Sequence, residues 1–277
     1  MKVYISADIE GIGCVVRSEH SSTSGREYER ARRFMTAEVN AAALGAFAAG
    51  AIDVVVADSH NVGLNLIPEE LDERVRLVMG SPRPLAMMDG IDLGFDAAML
   101  IGYHGRSGTA DAVIAHTFTG RIAEVRMNDL VIGEIGISAL LAGHYGIPIV
   151  FMAGDDAGCH EAEALLPGLA TVPVKQGIGA YAALCPHPTV CREKIRTAAE
   201  QALLRCRREG FPQALTMAGP VTLQMRFTTA SSVDRVLRMP RVQRVSGTII
   251  HYQAADLLEA FAAFNTMADL VELTPFI

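Results

Sequence analysis

Tryptophan is absent from this chain, and aromatic residues fill only 6% of its 277 positions. The core must therefore be built largely from aliphatic side chains, which is feasible because half of all residues are apolar. No apolar run approaches the roughly 20 residues that a membrane-spanning helix needs. Asp8 and Glu10 interrupt the first apolar stretch too early for a signal-peptide core. Blocks of basic residues are missing too. The net charge is −7, from 24 basic and 31 acidic side chains, so nucleic acid and anionic membrane are not the expected partners. The five cysteines (Cys14, Cys159, Cys185, Cys191 and Cys206) are odd in number and form no C-x-x-C pair. That usage predicts reduced thiols and a cytoplasmic location. Gly11-x-Gly13 lacks the third glycine of a dinucleotide-binding loop, which excludes a Rossmann cofactor site.

What is present is a series of short, continuous apolar runs between helical patterns. Residues 2–7, 52–57, 97–101 and 147–153 read as buried strands. Residues 26–49 and 134–145 read as helices, and 188–209 as a charged amphipathic helix that starts at Pro188 and stops at Gly210. Val75 to Met79 alternates, as a half-buried strand does. The expected fold is α/β, a mostly parallel sheet covered by helices on both faces. From 112 to 132 the texture changes to short strands, 112–118, 122–127 and 130–132, joined by turns. Residues 220–277 read as strand, helix, strand and terminal helix. The expected division is an α/β catalytic domain over 1–212 and a smaller α+β subdomain over 213–277.

Four of the apolar segments end on polar groups that carry chemistry: Asp8-Ile9-Glu10-Gly11, Asp58-Ser59-His60, Gly102-Tyr103-His104 and Gly133-Glu134. Each has an ordinary explanation alone. Asp is common at a strand-to-loop junction, His60 can cap a helix, and Glu134 favours a helix start through the dipole. Together they differ, because parallel strand ends converge on one crevice. Burying three carboxylates and two imidazoles there without a cation leaves charge uncompensated, which is costly. The donor set suits a hard or borderline divalent metal, zinc above all. Two divalent ions against three carboxylates leave a small positive excess, suited to holding hydroxide.

The ordered set Asp-x-Glu-Gly, Asp-Ser-His, Gly-Tyr-His and Gly-Glu resembles the DppA-type zinc-dependent D-aminopeptidases. Tyr28-Glu29-Arg30-Ala31-Arg32, Met35-Thr36-x-Glu38, Ala153-Gly154-Asp155-Asp156 and Val174-Lys175-Gln176 are similar to that family as well. The likeness spans most of residues 1–180. It implies two zinc ions per chain on Asp8, Glu10, His60, His104 and Glu134, with Asp8 bridging, and a catalytic histidine at His116. His116 would act as general base or acid toward an activated water, or as a direct nucleophile. The implied activity is hydrolysis of short peptides with an N-terminal D-residue, such as D-Ala-D-Ala, by a ring-like homo-oligomer, in the family a decamer. An L-aminopeptidase, an amidase, a dinuclear phosphoesterase and a non-catalytic metal-binding protein stay open. The glycine-rich 105–109 and Cys14 depart from the family pattern. Asp155 and Asp156 are candidate lining or supporting groups, and Lys175 reads as an exposed lysine, with stabilisation of a developing oxyanion or a substrate carboxylate as the alternative. Cys185-Pro186-His187-Pro188 reads as a loop before a helix.

Overall fold

The computed structural model describes residues 1–272. Seven strands form the main sheet: β1 (Lys2–Ala7), β2 (Asp53–Asp58), β3 (Val75–Val78), β4 (Ala97–Tyr103), β7 (Ile149–Asp155), β8 (Ala170–Gly179) and β9 (Ala182–Leu184). Their order is β3-β2-β1-β4-β7-β8-β9, and every pair is parallel except β8 with β9. The central strands are buried on both faces, which is why they read as continuous apolar runs rather than alternating ones.

Alternate residues of each strand feed two cores. Val3, Ile5, Val54, Val56, Met99 and Phe151 face α2 (Tyr28–Ala48) and α5 (Pro188–Glu209). The buried stripe of α5, Cys191, Ile195, Ala199, Ala202, Leu203 and Cys206, follows helical spacing. α2 meets it so closely that a Cβ on Gly45 would lie 2.4 Å from the Arg196 carbonyl oxygen, so only glycine fits at that crossing. The opposite face, carrying Tyr4, Val55, Ala98, Leu100 and Met152, packs on α3 (Glu134–His144) and α7 (Leu257–Glu272).

Beyond these helices lies an antiparallel sheet ordered β11-β12-β10-β5-β6. It joins β5 (Ile122–Met127) and β6 (Leu130–Ile132) to β10 (Val221–Phe227), β11 (Gln243–Arg244) and β12 (Ile249–Ala254). Leu223 pairs with Met127 and with Tyr252, so β10 is the centre of this sheet. Between β10 and β11 runs α6 (Ala230–Val236), and α4 (Asp156–Leu165) follows β7 directly.

One expected strand is absent. Residues 112–118 form an irregular loop with left-handed φ at Ile114 (55°) and Phe118 (60°). Its backbone is satisfied singly rather than by a ladder: Val113 N–H donates to Asp155 (3.0 Å), Ile114 N–H to Ala180 O (2.9 Å) and Phe118 N–H to Glu134 (2.7 Å). The backbone is thus pinned to three different parts of the fold, and the alternating sequence forms no strand.

The chain runs β1, β2, β3 toward one edge of the sheet, whereas β4, β7 and β8 run toward the other. β1 and β4 are neighbours at that reversal, where open α/β sheets form their ligand crevice.

Candidate metal centre

Asp8 and Glu10 follow β1 in a loop that folds over the end of β4. Asp8 N–H donates to Ile101 O (2.8 Å) and Gly11 N–H to Gly102 O (2.7 Å). A Cβ on Gly11 would fall 1.9 Å from the Tyr103 carbonyl oxygen, so this turn requires glycine. Lys175 holds the loop from below. Contrary to the sequence expectation of an exposed side chain, it is only 1% exposed. Its ammonium donates to the carbonyls of Glu10, Ile12 (3.1 Å) and Val15 (2.6 Å). Three carbonyls around three N–H donors satisfy the head group completely. Glu38, from α2, accepts from Gly13 N–H (3.1 Å), and burial pushes its carboxyl up to about 7.

His60 lies just beyond β2, in a loop fixed by Asp58. That carboxylate accepts from the backbone N–H groups of Asn65 (2.5 Å) and Leu66 (2.7 Å), so Asp58 shapes the loop and does not face the site. A buried hydroxyl chain lies underneath: Ser59 to Ser6 (2.7 Å), Ser6 to Tyr103 (2.7 Å) and Tyr103 to Ser138 on α3 (3.0 Å). It ties together the ends of β1, β2 and β4 and the helix that begins with Glu134. Asp155, at the end of β7, accepts from Gly105, Val113 and Gly158 N–H groups. Its role is to brace the loops that carry His104 and His116.

The three histidines share one device. His60 Nε2 lies 2.8 Å from Ser21 O, His104 Nδ1 is 3.0 Å from Gly105 O, and His116 Nδ1 is 2.9 Å from Ile114 O. A carbonyl only accepts, so each of these nitrogens carries the proton. When the ring is neutral the opposite nitrogen carries the lone pair, the orientation in which histidines commonly ligate metals.

Those free nitrogens meet the carboxylates. His60 Nδ1 is 3.2 Å from Asp8 Oδ1 and 3.0 Å from Glu10 Oε2, the latter without hydrogen-bond geometry. His104 Nε2 is 3.5 Å from both Asp8 Oδ2 and Glu134 Oε2 and has no hydrogen-bond partner. His116 Nε2 is 3.7 Å from Glu134 Oε1, and its ring stacks on His104 with centroids 4.5 Å apart. The donor atoms therefore form two clusters, Asp8-Glu10-His60 and Asp8-His104-Glu134, that share Asp8 through its two oxygens. Glu10, His104 and His116 form a third, overlapping group. A buried imidazole nitrogen and a buried carboxylate oxygen that lack partners yet face each other's neighbours fit a cation between them.

Electrostatics agree. Burial pushes the His60 and His104 pKa values down, but Glu10 and Asp8 around the first, and Glu134 and Asp8 around the second, raise both well above the ordinary histidine range. Burial likewise pushes Asp8, Glu10 and Glu134 up, and the facing histidines overcome it and hold all three below the usual carboxylate range. Such a field attracts positive charge, as protons or as divalent ions.

Above the cluster opens a cleft of about 520 Å³ lined by Asp8, His60, His116 and Glu134. His116 is 21% exposed, so it can reach a substrate. Two walls of the cleft escaped the sequence reading. Arg83 stands on one, and Asn265, Asp269 and Glu272 of α7 on another. Glu272 also accepts a hydrogen bond from Thr119. Arg83 is isolated in the sequence, and although Asn265, Asp269 and Glu272 share one helix face by their spacing, nothing local says that this face meets the cleft.

Comparison with known proteins places this geometry. The peptidase M55 family model, described as D-aminopeptidase, matches residues 1–266. The D-aminopeptidase of Bacillus subtilis (strain 168) is 33% identical over 277 residues, covering all of both chains. The solved structure of the Zn-dependent D-aminopeptidase DppA from Bacillus subtilis, described as a self-compartmentalizing protease, aligns over the whole of both chains with a TM-score of 0.95 at 33% identity. On a match that runs nearly the full length in sequence and fold, the chain belongs to the D-aminopeptidase family of M55 peptidases.

Proposed function

We propose that this protein is a zinc-dependent D-aminopeptidase that removes the N-terminal D-residue from short peptides such as D-Ala-D-Ala. The observation that carries the metal reading is the sharing of Asp8. Its two oxygens face two separate donor groups, each completed by an imidazole whose other nitrogen is anchored to a backbone carbonyl. Asp8, Glu10 and His60 would hold one ion, and Asp8, His104 and Glu134 the other. When bound, paired zinc ions supply Lewis acidity toward a carbonyl and bring the pKa of water toward neutrality. Asp8, Glu10 and Glu134 set the charge of the site, and the Lys175 clamp fixes the loop from which Glu10 projects.

His116 is the residue for proton transfer. Its Nδ1–H is committed to Ile114 O, so Nε2 faces the cleft able to take a proton and return it to the leaving amine. The same nitrogen is also placed to act as a direct nucleophile. All six residues lie within 1–212, which we regard as the catalytic part, with 213–277 closing one side of the cleft through α7.

We further propose a homo-oligomer, ring-like and decameric. The self-compartmentalizing relative supports this, as do Ile178, Tyr181 and Leu184, exposed apolar side chains on the β8–β9 hairpin. Five free cysteines fit a reducing, cytoplasmic setting. No helix among the described residues is long and apolar enough to cross a membrane.

The test is metal content per chain, followed by hydrolysis of D-Ala-D-Ala and L-Ala-L-Ala before and after chelation. About two zinc ions and chelator-sensitive cleavage of the D-peptide are expected. His116→Ala should keep its zinc and lose about 10²- to 10⁴-fold in kcat. A zinc-replete variant with full turnover would remove His116 from the chemistry. Two metals without cleavage of either peptide would move the function to another hydrolase class.

A further inference from the structure

Arg83 is the only lysine or arginine among the described residues that line the cleft. It stands between Pro82 and Pro84, whose rings restrict the backbone on either side. Its Nη2–H donates to Asp58 O (2.6 Å) and its Nη1–H to Val78 O (3.3 Å). Those carbonyls lie at the ends of β2 and β3, and the first is two residues before His60. Both acceptors are neutral, and Arg83 forms no ion pair with an acidic side chain among the described residues. A guanidinium has five N–H donors in a rigid fork, and two anchored ones leave others free.

The surroundings make this charge informative. Asp8 and Glu134 occupy the floor of the cleft, and Asp269 and Glu272 its α7 wall. The floor acids are those proposed to hold the metal, which leaves Asp269 and Glu272 to accept an ammonium and Arg83 as the one fixed cation away from the metal for a carboxylate. A two-residue peptide is a zwitterion only about 7 Å long when extended. One arginine on a cleft wall, away from the proposed metal ligands, is therefore suited to reading both its C-terminal charge and its length.

We propose that Arg83 binds the free α-carboxylate of the substrate, so that the enzyme selects short peptides with an unblocked C-terminus over amides and longer chains. This rests on the aminopeptidase reading above. Arg83 is a specificity-determining residue here: it touches the substrate's far end and leaves the scissile carbonyl to the ligand cluster and His116.

The experiment compares D-Ala-D-Ala with D-Ala-D-Ala amide, which has the same scissile bond and no terminal charge. Substrates are tested on zinc-loaded native protein and on Arg83→Met and Arg83→Lys, with zinc content and Tm recorded for each. Native enzyme should favour the free acid. Arg83→Met should lose about ten- to a hundredfold in kcat/KM for the acid, mainly through KM, since one charge-assisted contact is removed. Its kcat/KM for the amide should fall by a clearly smaller factor, set by the lost bonds to Asp58 O and Val78 O alone. Arg83→Lys should recover part of the preference. If native enzyme treats acid and amide alike, or if Arg83→Met loses both equally, Arg83 merely braces the ends of β2 and β3 and the proposal is overturned. Native, zinc-loaded protein that cleaves neither peptide would instead remove the aminopeptidase reading, and this inference with it.

Discussion

Lys175→Met tests whether the Glu10 loop is held by a buried cation. The substitution keeps length and apolar volume but removes the ammonium that bonds the carbonyls of Glu10, Ile12 and Val15. Each bond to a charged donor is worth about 1.5–3 kcal/mol, and a buried acceptor left unpaired costs about 1–3 kcal/mol. Against this, the variant no longer has to bury a charge, and burial already pushes the Lys175 pKa down. The balance is a net loss of about 3 kcal/mol, because the Glu10 and Val15 carbonyls are orphaned, Ile12 O keeping its bond from Val15 N–H, while one charge is relieved. For a chain of this size that corresponds to a fall in Tm of about 6–12 °C. The assay is urea unfolding of chelated protein, which separates the effect from metal binding, followed by zinc titration against a chromophoric competitor. The variant should bind zinc more weakly, with the larger loss at the site that Glu10 completes, since Lys175 bonds the Glu10 carbonyl directly and holds Asp8 only through the rest of the loop. A stability loss under about 1 kcal/mol with unchanged zinc affinity would show that water or backbone shifts replace the ammonium, and the clamp argument would fail.

Three other substitutions probe the site and its support. Glu38 has a carboxyl raised by burial from 4.5 to about 7. The folded state therefore holds its proton more tightly than the unfolded chain, and the stability this provides is complete below about pH 4.5 and lost as pH rises to about 7. The difference amounts to about 3 kcal/mol, so Glu38→Gln, unfolded by urea from pH 5 to 8, should gain on the native protein steadily up to about pH 7. Parallel stability curves would mean that Glu38 is ionised in the fold. Asp8→Asn should weaken binding of both zinc equivalents by more than about a hundredfold, whereas Glu134→Gln should affect one. Retention of one tight zinc by Asp8→Asn would show that the ions do not share that carboxylate.

The strand ends were legible because a parallel sheet converts sequence into position. An apolar run ending in a polar group places that group on the carboxyl edge, and Asp8, His60 and His104 all arrive there by this rule. α5 was legible to the residue, from Pro188 to Glu209, because proline and glycine punctuate it. The loop carrying His116 was not, since its alternation imitates a strand and its anchors, Asp155, Ala180 and Glu134, are remote in sequence. Lys175 misled for a related reason. A lysine in a local window is charged and solvated by default, and only the return of the 8–15 loop over β8 supplies the three carbonyls that make its burial tolerable.

The sequence by itself determined the class of fold, the donor types and the edge of the sheet on which they gather, because these follow from local periodicity and the fixed direction of parallel strands. The tertiary structure decided which carboxylate joins both donor groups, which nitrogen of each histidine is anchored to a carbonyl, and that Arg83 and the acids of α7 line the same cleft. Those are matters of a few ångströms between residues distant in the chain, set by loop anchoring and packing, and no periodic pattern encodes them.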